Sequence, residues 1–486
     1  MKRSKSEVSR RDFLLTTCVA AVGAPLVSMN LAPILRPGEQ SFALSVEMND
    51  SRKSANVRTV FAYPPSKTFA EDPNGWWSWP GTEFDAERRQ EQYTAELKKI
   101  EKKLGMRISI DNKPLGNTND AQRIAGEITT TRPDGLLIIM FYNRSLKDID
   151  LLLKASEAAD IPTVFYICLG VKHGSVTPYR RPGLYFIMSL DNFEAIEYGM
   201  RMINTKKLLD QSLLLSISDE VNDVSEKREA FLGISVRNIP FSLYEEKFKK
   251  VKMDSEARKV IQSFTQNAKD VRVTQEALDN AARAHLALKK MILEHEAHGV
   301  AMKCLRAGML KPCMSFAMLN GQLLPAACEN DMNAAYGLFL GEALTGRPGF
   351  QHNPAFETER NHYFGSHCTC SPRLHGLDRP DSSHILRKYC HSNEGSCAIQ
   401  TFWKENEPVT MIHYYPGQPG SLDVYAGKVC KSYNMPPVGG CLTNVEIELS
   451  DKKDACAVKG HHNILFCGDF ARKFHLFANL YKMKLV

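Results

Sequence analysis

The feature that most constrains this chain is a rhythm of uninterrupted apolar runs separated by amphipathic ones. Gly135–Phe141 and Thr163–Leu169 contain no charged residue. Short runs of this kind mark strands buried on both faces, as in a parallel sheet covered by helices on each side. Val57–Tyr63 and Met106–Ile110 read as further strands, and Pro64 and Pro65 close the first of them. Asp85–Leu104, stopped by Gly105, reads as a helix, as do Asn119–Thr130 and Leu146–Ala159. This βαβαβ order predicts a parallel sheet.

The rhythm continues with a helix near Asn192–Asn204 and a strand at Leu213–Ser218. Ser255–Ala268 and Thr274–Glu296 then carry helix formers at core spacing. A length of 486 residues exceeds one ordinary domain. The expected layout is an N-terminal α/β domain over 57–185, a second over 186–325, and a β-rich domain over 326–486. In that last part Gly, Pro, Cys and His gather, and short strands are expected at Val409–Tyr415, Leu422–Val429 and Thr443–Leu449. A short helix is expected near Phe470–Tyr481.

The N-terminus reads as an export signal over residues 1–43, followed by a polar linker over 44–56. Ser9-Arg10-Arg11-Asp12-Phe13-Leu14 resembles the twin-arginine motif. The apolar stretch that follows, Leu14–Val27, is short and interrupted by Gly23 and Pro25, which argues against a membrane span of about 20 apolar residues. A cut near Ala20–Ala24 or after Ser41-Phe42-Ala43, or an uncleaved anchor, are the alternatives; the implied location is periplasmic or otherwise extracytoplasmic. The formal charge of +7 includes Lys2, Arg3, Lys5, Arg10 and Arg11 of this segment. No basic cluster interleaved with aromatics remains, so nucleic acid is not an expected partner.

Thirteen cysteines fit an exported protein with some pairing, or equally a set of buried free thiols. Cys368, Cys370, Cys390 and Cys397 lie close in sequence but lack the Cys-x2-Cys spacing of a zinc site.

Three fragments carry chemistry: Cys328-Glu329-Asn330-Asp331, Gly365-Ser366-His367-Cys368 and Gly460-His461-His462-Asn463. Glu329 precedes a predicted helix, His367 sits at a strand end, and His461 and His462 precede a strand. A lone His near a strand is more often a structural hydrogen-bonder, and His375, His384, His391 and His413 are read that way. Together, one Glu and two His from distant segments fit a divalent-metal ligand set. Trp76, Trp77 and Trp79 follow the first strand, near the carboxyl end of a parallel sheet where ligands tend to bind. They read as a sugar-stacking contact or as plain packing.

With these fragments in this order, the chain resembles the L-fucose isomerase and L-arabinose isomerase superfamily. The resemblance spans roughly residues 57–486, but its motifs lie in the last third. It implies two Rossmann-like parallel-sheet domains followed by a β-rich domain, a manganese ion on Glu329, His367 and His462, and a homo-oligomer, trimer or hexamer. It implies an aldose–ketose isomerase acting through an enediol, which needs a second carboxylate between Glu329 and His367. Here the chain departs from the pattern and reads Gly349-Phe350-Gln351-His352-Asn353-Pro354. Asn353, or alternatively His352, stands at the acid's place. An Asn can ligate through its carbonyl but cannot take a C2 proton. Glu357 is the substitute the sequence offers as the second catalytic group beside Glu329. The competing expectations are an exported carbohydrate-binding protein on an isomerase scaffold and a non-catalytic surface protein held by cysteine pairing.

Overall fold

The computed structural model describes residues 50–71, 81–169, 175–389, 395–433, 441–450 and 454–486. The export segment, Trp76, Trp77, Trp79, Cys18, Cys390 and His391 lie outside the described residues. Among the described residues, no helix is long and apolar enough to cross a membrane.

The first sheet is wholly parallel. It holds β1 (Asn56–Ala62), β2 (Arg107–Ile110), β3 (Gly135–Met140), β4 (Thr163–Cys168) and β5 (Leu184–Ser189) in the order β2-β1-β3-β4-β5. Every residue of β3 and β4 is buried, as their unbroken apolar sequences require. Helices Ala86–Leu104, Thr118–Thr131 and Leu146–Ala158 connect successive strands. The first is capped by Asp85, which accepts from the Arg88 N–H, and stopped by Gly105 at φ 59°. Its Tyr93, Leu97, Ile100 and Leu104 form the buried stripe expected of an amphipathic helix.

The second sheet contains β6 (Leu213–Ser218), β7 (Ser225–Arg228), β8 (Ser235–Pro240), β10 (Gly299–Met302) and β11 (Ala326–Cys328). Its order is β11-β10-β6-β8-β7, parallel except for β7. A small separate sheet joins β9 (Asp270–Arg272) to β14 (His384–Arg387) and β15 (Ala398–Thr401).

The C-terminal strands close on themselves. They are β12 (Phe350–Glu357), β13 (His362–His367), β16 (Pro408–Tyr415), β17 (Ser421–Ser432), β18 (Thr443–Leu449) and β19 (Asn463–Cys467). They run β16-β19-β12-β13-β18-β17, and β17 pairs back to β16, so six antiparallel strands form a barrel. Closure removes the exposed edges that an open antiparallel sheet would leave. The interior holds Phe350, Tyr363, Met411, Val445, Ile447 and Leu465. Short β20 (Lys484–Leu485) adds to β17 in parallel.

Helix Met332–Thr345 welds the barrel to the first unit. Its Ala334, Leu338 and Leu340 share one core with Leu136, Val164, Ile464 and Phe466. It is apolar all round because partners cover it all round.

The described cysteines are all free thiols, most of them buried. The sulfurs of Cys304 and Cys328 lie 3.5 Å apart, and those of Cys313 and Cys368 3.8 Å apart.

Candidate metal centre

One end of the barrel faces the tip of β11, and three donors from distant parts of the sequence converge there. Glu329 follows β11, His367 ends β13, and His462 precedes β19. One ligand atom from each falls within 4.8 Å of the others. The His367 Nε2 is 3.9 Å from Glu329 Oε1, and the His462 Nε2 is 3.8 Å from Glu329 Oε2. These spans are too long for hydrogen bonds but suit two imidazoles and a carboxylate aimed at one point.

The local structure explains each placement. Glu329 and Asn330 both adopt left-handed backbone, φ 59° and 55°. A non-glycine residue held there costs on the order of 1–3 kcal/mol and needs surrounding constraint. That constraint is visible. The Asn330 N–H donates to the Met302 carbonyl, and the Asp331 N–H to that of Cys328. Buried Gln351 of β12 receives the Cys328 N–H at 2.7 Å and donates to the Cys328 carbonyl at 3.2 Å. The barrel thus grips β11 one residue before Glu329.

Asp331 serves twice. One oxygen caps helix Met332–Thr345 by accepting from the Ala334 N–H at 3.0 Å, and the other accepts from His462 Nδ1 at 2.9 Å. Burial alone would raise this carboxyl, but the His462 and Ala334 hydrogen bonds hold it below its ordinary value. With Nδ1 donating, His462 turns Nε2 towards Glu329 as a lone-pair donor. This is the carboxylate–histidine support that metal-binding imidazoles use. Burial pulls His367 down to about 4, so its imidazole is neutral and able to ligate near neutral pH.

Unsatisfied atoms gather at this rim. His367 Nε2 and His462 Nε2 are buried without a hydrogen-bond partner, and so are Ser366 Oγ, Asn444 Oδ1 and Asn463 Oδ1. Leaving a buried polar atom unpaired costs about 1–3 kcal/mol, so several at one place point to a group that completes them. Two orphaned imidazole nitrogens facing a carboxylate fit a divalent cation.

The motif glycines have a steric reason. A Cβ on Gly365 would lie 2.7 Å from the His352 ring, and one on Gly460, at φ 102°, would lie 2.4 Å from the His413 ring. His413 in turn uses Nδ1 to hold the His462 carbonyl at 2.8 Å. It is structural, as the sequence suggested. His461 is exposed, with Nε2 3.4 Å from Glu329 Oε2.

The two residues at the acid's place lie on opposite faces of β12. His352, not Asn353, lies on the inner face of β12 with Phe350. Its Nδ1 is bonded to the Phe350 carbonyl at 3.0 Å and its Nε2 to the Tyr363 hydroxyl at 2.8 Å. Burial drives it down to about 3, so it is neutral and both nitrogens are engaged. Asn353 pairs with Ser366 of β13, one step beyond the His352–Asn463 pair, on the outer face. Strand alternation separates the two neighbours, which spacing alone could not rank.

Glu357 is a correction. It pairs with His362 at the tip of the β12–β13 hairpin and is ion-paired to Arg360. His367 lies five positions further along β13, roughly 16 Å at ~3.3 Å per residue. The hairpin geometry therefore carries Glu357 away from the centre, and it cannot act there. Gln351 and Asp331 are the functional neighbours the sequence reading missed. Asp331 carried a signal, since an Asp opening an apolar helical segment is a capping residue; Gln351 carried none.

Compared with models of known protein families and with curated proteins, the sequence matches none.

Proposed function

We propose that the protein holds a divalent ion, manganese by resemblance, on Glu329, His367 and His462, and uses it to bind neighbouring oxygens of an open-chain sugar. The observation that carries this reading is the pair of buried, unpartnered Nε2 atoms facing Glu329. The view of the two parallel sheets as Rossmann-like domains, of the assembly as a homo-oligomer and of the chain as exported belongs to the same proposal.

The activity this donor set would serve is aldose–ketose interconversion. The ion, when bound, would supply Lewis-acid polarisation of the sugar carbonyl. Glu329 is the carboxylate placed to take a C2 proton, and His461, exposed beside it, is placed to relay a proton with solvent. Asp331 would keep His462 in the tautomer whose Nε2 lone pair faces Glu329 and the ion. Elemental analysis of the folded protein tests the ion: bound manganese or a similar metal that Glu329→Gln removes is the expected result. Absence of divalent metal after reconstitution would sink the proposal.

A second reading, sugar binding without turnover, is favoured by one observation. Among the described residues no second carboxylate joins Glu329 in the trio, and Glu357 is tied to Arg360. Calorimetry with a panel of aldoses, run beside a turnover assay, separates the two. Binding without conversion, with conversion appearing in Asn353→Asp, would select the second reading.

A further inference from the structure

A second cluster of donors sits at the opposite end of β19. Cys467 is the last residue of that strand, Glu407 immediately precedes β16, and His375 lies in the segment between β13 and β14. The Cys467 Sγ is 3.4 Å from His375 Nδ1 and 3.6 Å from Glu407 Oε2, and His375 Nε2 is 3.5 Å from Glu407 Oε1. The three offer ligand atoms within 4.8 Å of one another.

We infer that His375, Glu407 and Cys467 form a second metal site, structural in role and selective for zinc. Tetrahedral zinc with bonds of ~2.3 Å to sulfur and ~2.0–2.1 Å to nitrogen or oxygen has sulfur-to-nitrogen and sulfur-to-oxygen edges of roughly 3.5–3.6 Å. The two observed sulfur distances, to His375 Nδ1 and Glu407 Oε2, lie within about 0.2 Å of those edges, so His375 would ligate through Nδ1. A thiolate and a carboxylate cancel the charge of a divalent ion, with imidazole neutral. The thiolate selects zinc, whereas the oxygen and imidazole donors at the other rim suit manganese as well. Exposure of His375 leaves an entry path and room for water as fourth ligand.

Two ligands are positioned before any ion arrives. Val409 pairs with Cys467, the Gly468 N–H donates to the Pro408 carbonyl, and the Val429 N–H to the Glu407 carbonyl. Glu407 leads directly into β16, whereas His375 lies well inside the irregular segment that leaves His367. An ion here would clamp that segment to the barrel.

Cobalt(II) is the probe, because a bound thiolate gives it a charge-transfer absorption that oxygen and nitrogen ligands do not. The full chain and its Glu329→Gln variant should both develop this absorption on titration. Cys467→Ser and His375→Gln should lose it, with cobalt affinity at this site falling tenfold or more. His375→Gln replaces an accessible side chain, so it decides the matter if Cys467→Ser fails to fold. No thiolate absorption in the full chain, or absorption that survives in His375→Gln, would overturn the inference. The readout in Glu329→Gln is independent of the first centre, so failure of one site does not count against the other.

Discussion

The two ends of β19 solve the same problem in different ways. At the His462 end, donors come from a strand of the second sheet and two places in the barrel, and their nitrogens are left without partners. At the Cys467 end, the donors already contact one another, and one side is open to solvent. The first rim is held in readiness by neighbours: Asp331 behind His462, Gln351 behind Cys328, and strained backbone at Glu329. The second needs only strand register and one partner from an irregular segment. A preorganised centre with orphaned atoms suits chemistry, while a self-satisfied cluster at a loop's base suits a clamp.

The largest expected effect breaks the first rim alone. Glu329→Gln should weaken manganese binding on the order of 100-fold or more, since even supporting residues are worth 10–100-fold. Competition against a chelating dye measures it. An unchanged affinity would show that the trio is not the centre.

The rims should next fail at opposite ends of the pH scale, measured by unfolding in chelator. Buried His367 has a folded value of about 4 against an ordinary 6.5. Its contribution is fully present above about pH 6.5 and is lost as pH falls through about 4, because only the unfolded state takes the proton easily. The magnitude is on the order of 3 kcal/mol. Cys467 shows the reverse, with a folded value of about 12 against an ordinary 9.0. Its contribution is present below pH 9 and is lost as pH rises towards 12. His367→Gln should make only the acid limb shallower, with buried His285 and His352 keeping the rest of it, and Cys467→Ser only the alkaline limb, which buried Cys397 shares. If either variant flattened both, the two rims would not be independent.

Asp331 separates support from ligation. Asp331→Asn keeps an oxygen for the helix cap but weakens the hold on His462, so metal affinity should fall 10- to 100-fold with little change in unfolding. Asp331→Ala should add a stability loss of about 1 kcal/mol for the lost cap. Equal metal affinity in wild type and both variants would remove Asp331 from the centre. The smallest effect is Gly460→Ala, which must accommodate the His413 ring and a strained φ. A loss of about 1–2 kcal/mol in thermal or denaturant unfolding is expected, with the Cys467 end unaffected.

Much of this was legible in the chain. The parallel first sheet followed from Gly135–Met140 and Thr163–Cys168, since an apolar run without alternation fits only a strand covered twice. Helix Ala86–Leu104 followed from its stripe and its glycine stop. These are local signals, and local physics decides them. Glu329, His367 and His462 were legible as candidate metal ligands, but only taken together.

Tertiary structure alone decided the rest. Barrel closure rests on β19 pairing with both β12 and β16, strands far from it in sequence, and no local pattern encodes partners at that separation. Which of His352 and Asn353 faces inward depended on the register of β12, where a one-residue shift flips every side chain. Glu357 was near in sequence and distant in space because an extended hairpin spends its length moving away. Cys467, Glu407 and His375 share no motif at all. The sequence determined which elements form and which residue types are available; the long-range pairing of strands determined which of those residues meet, because contact between distant segments is set by register and packing rather than by spacing along the chain.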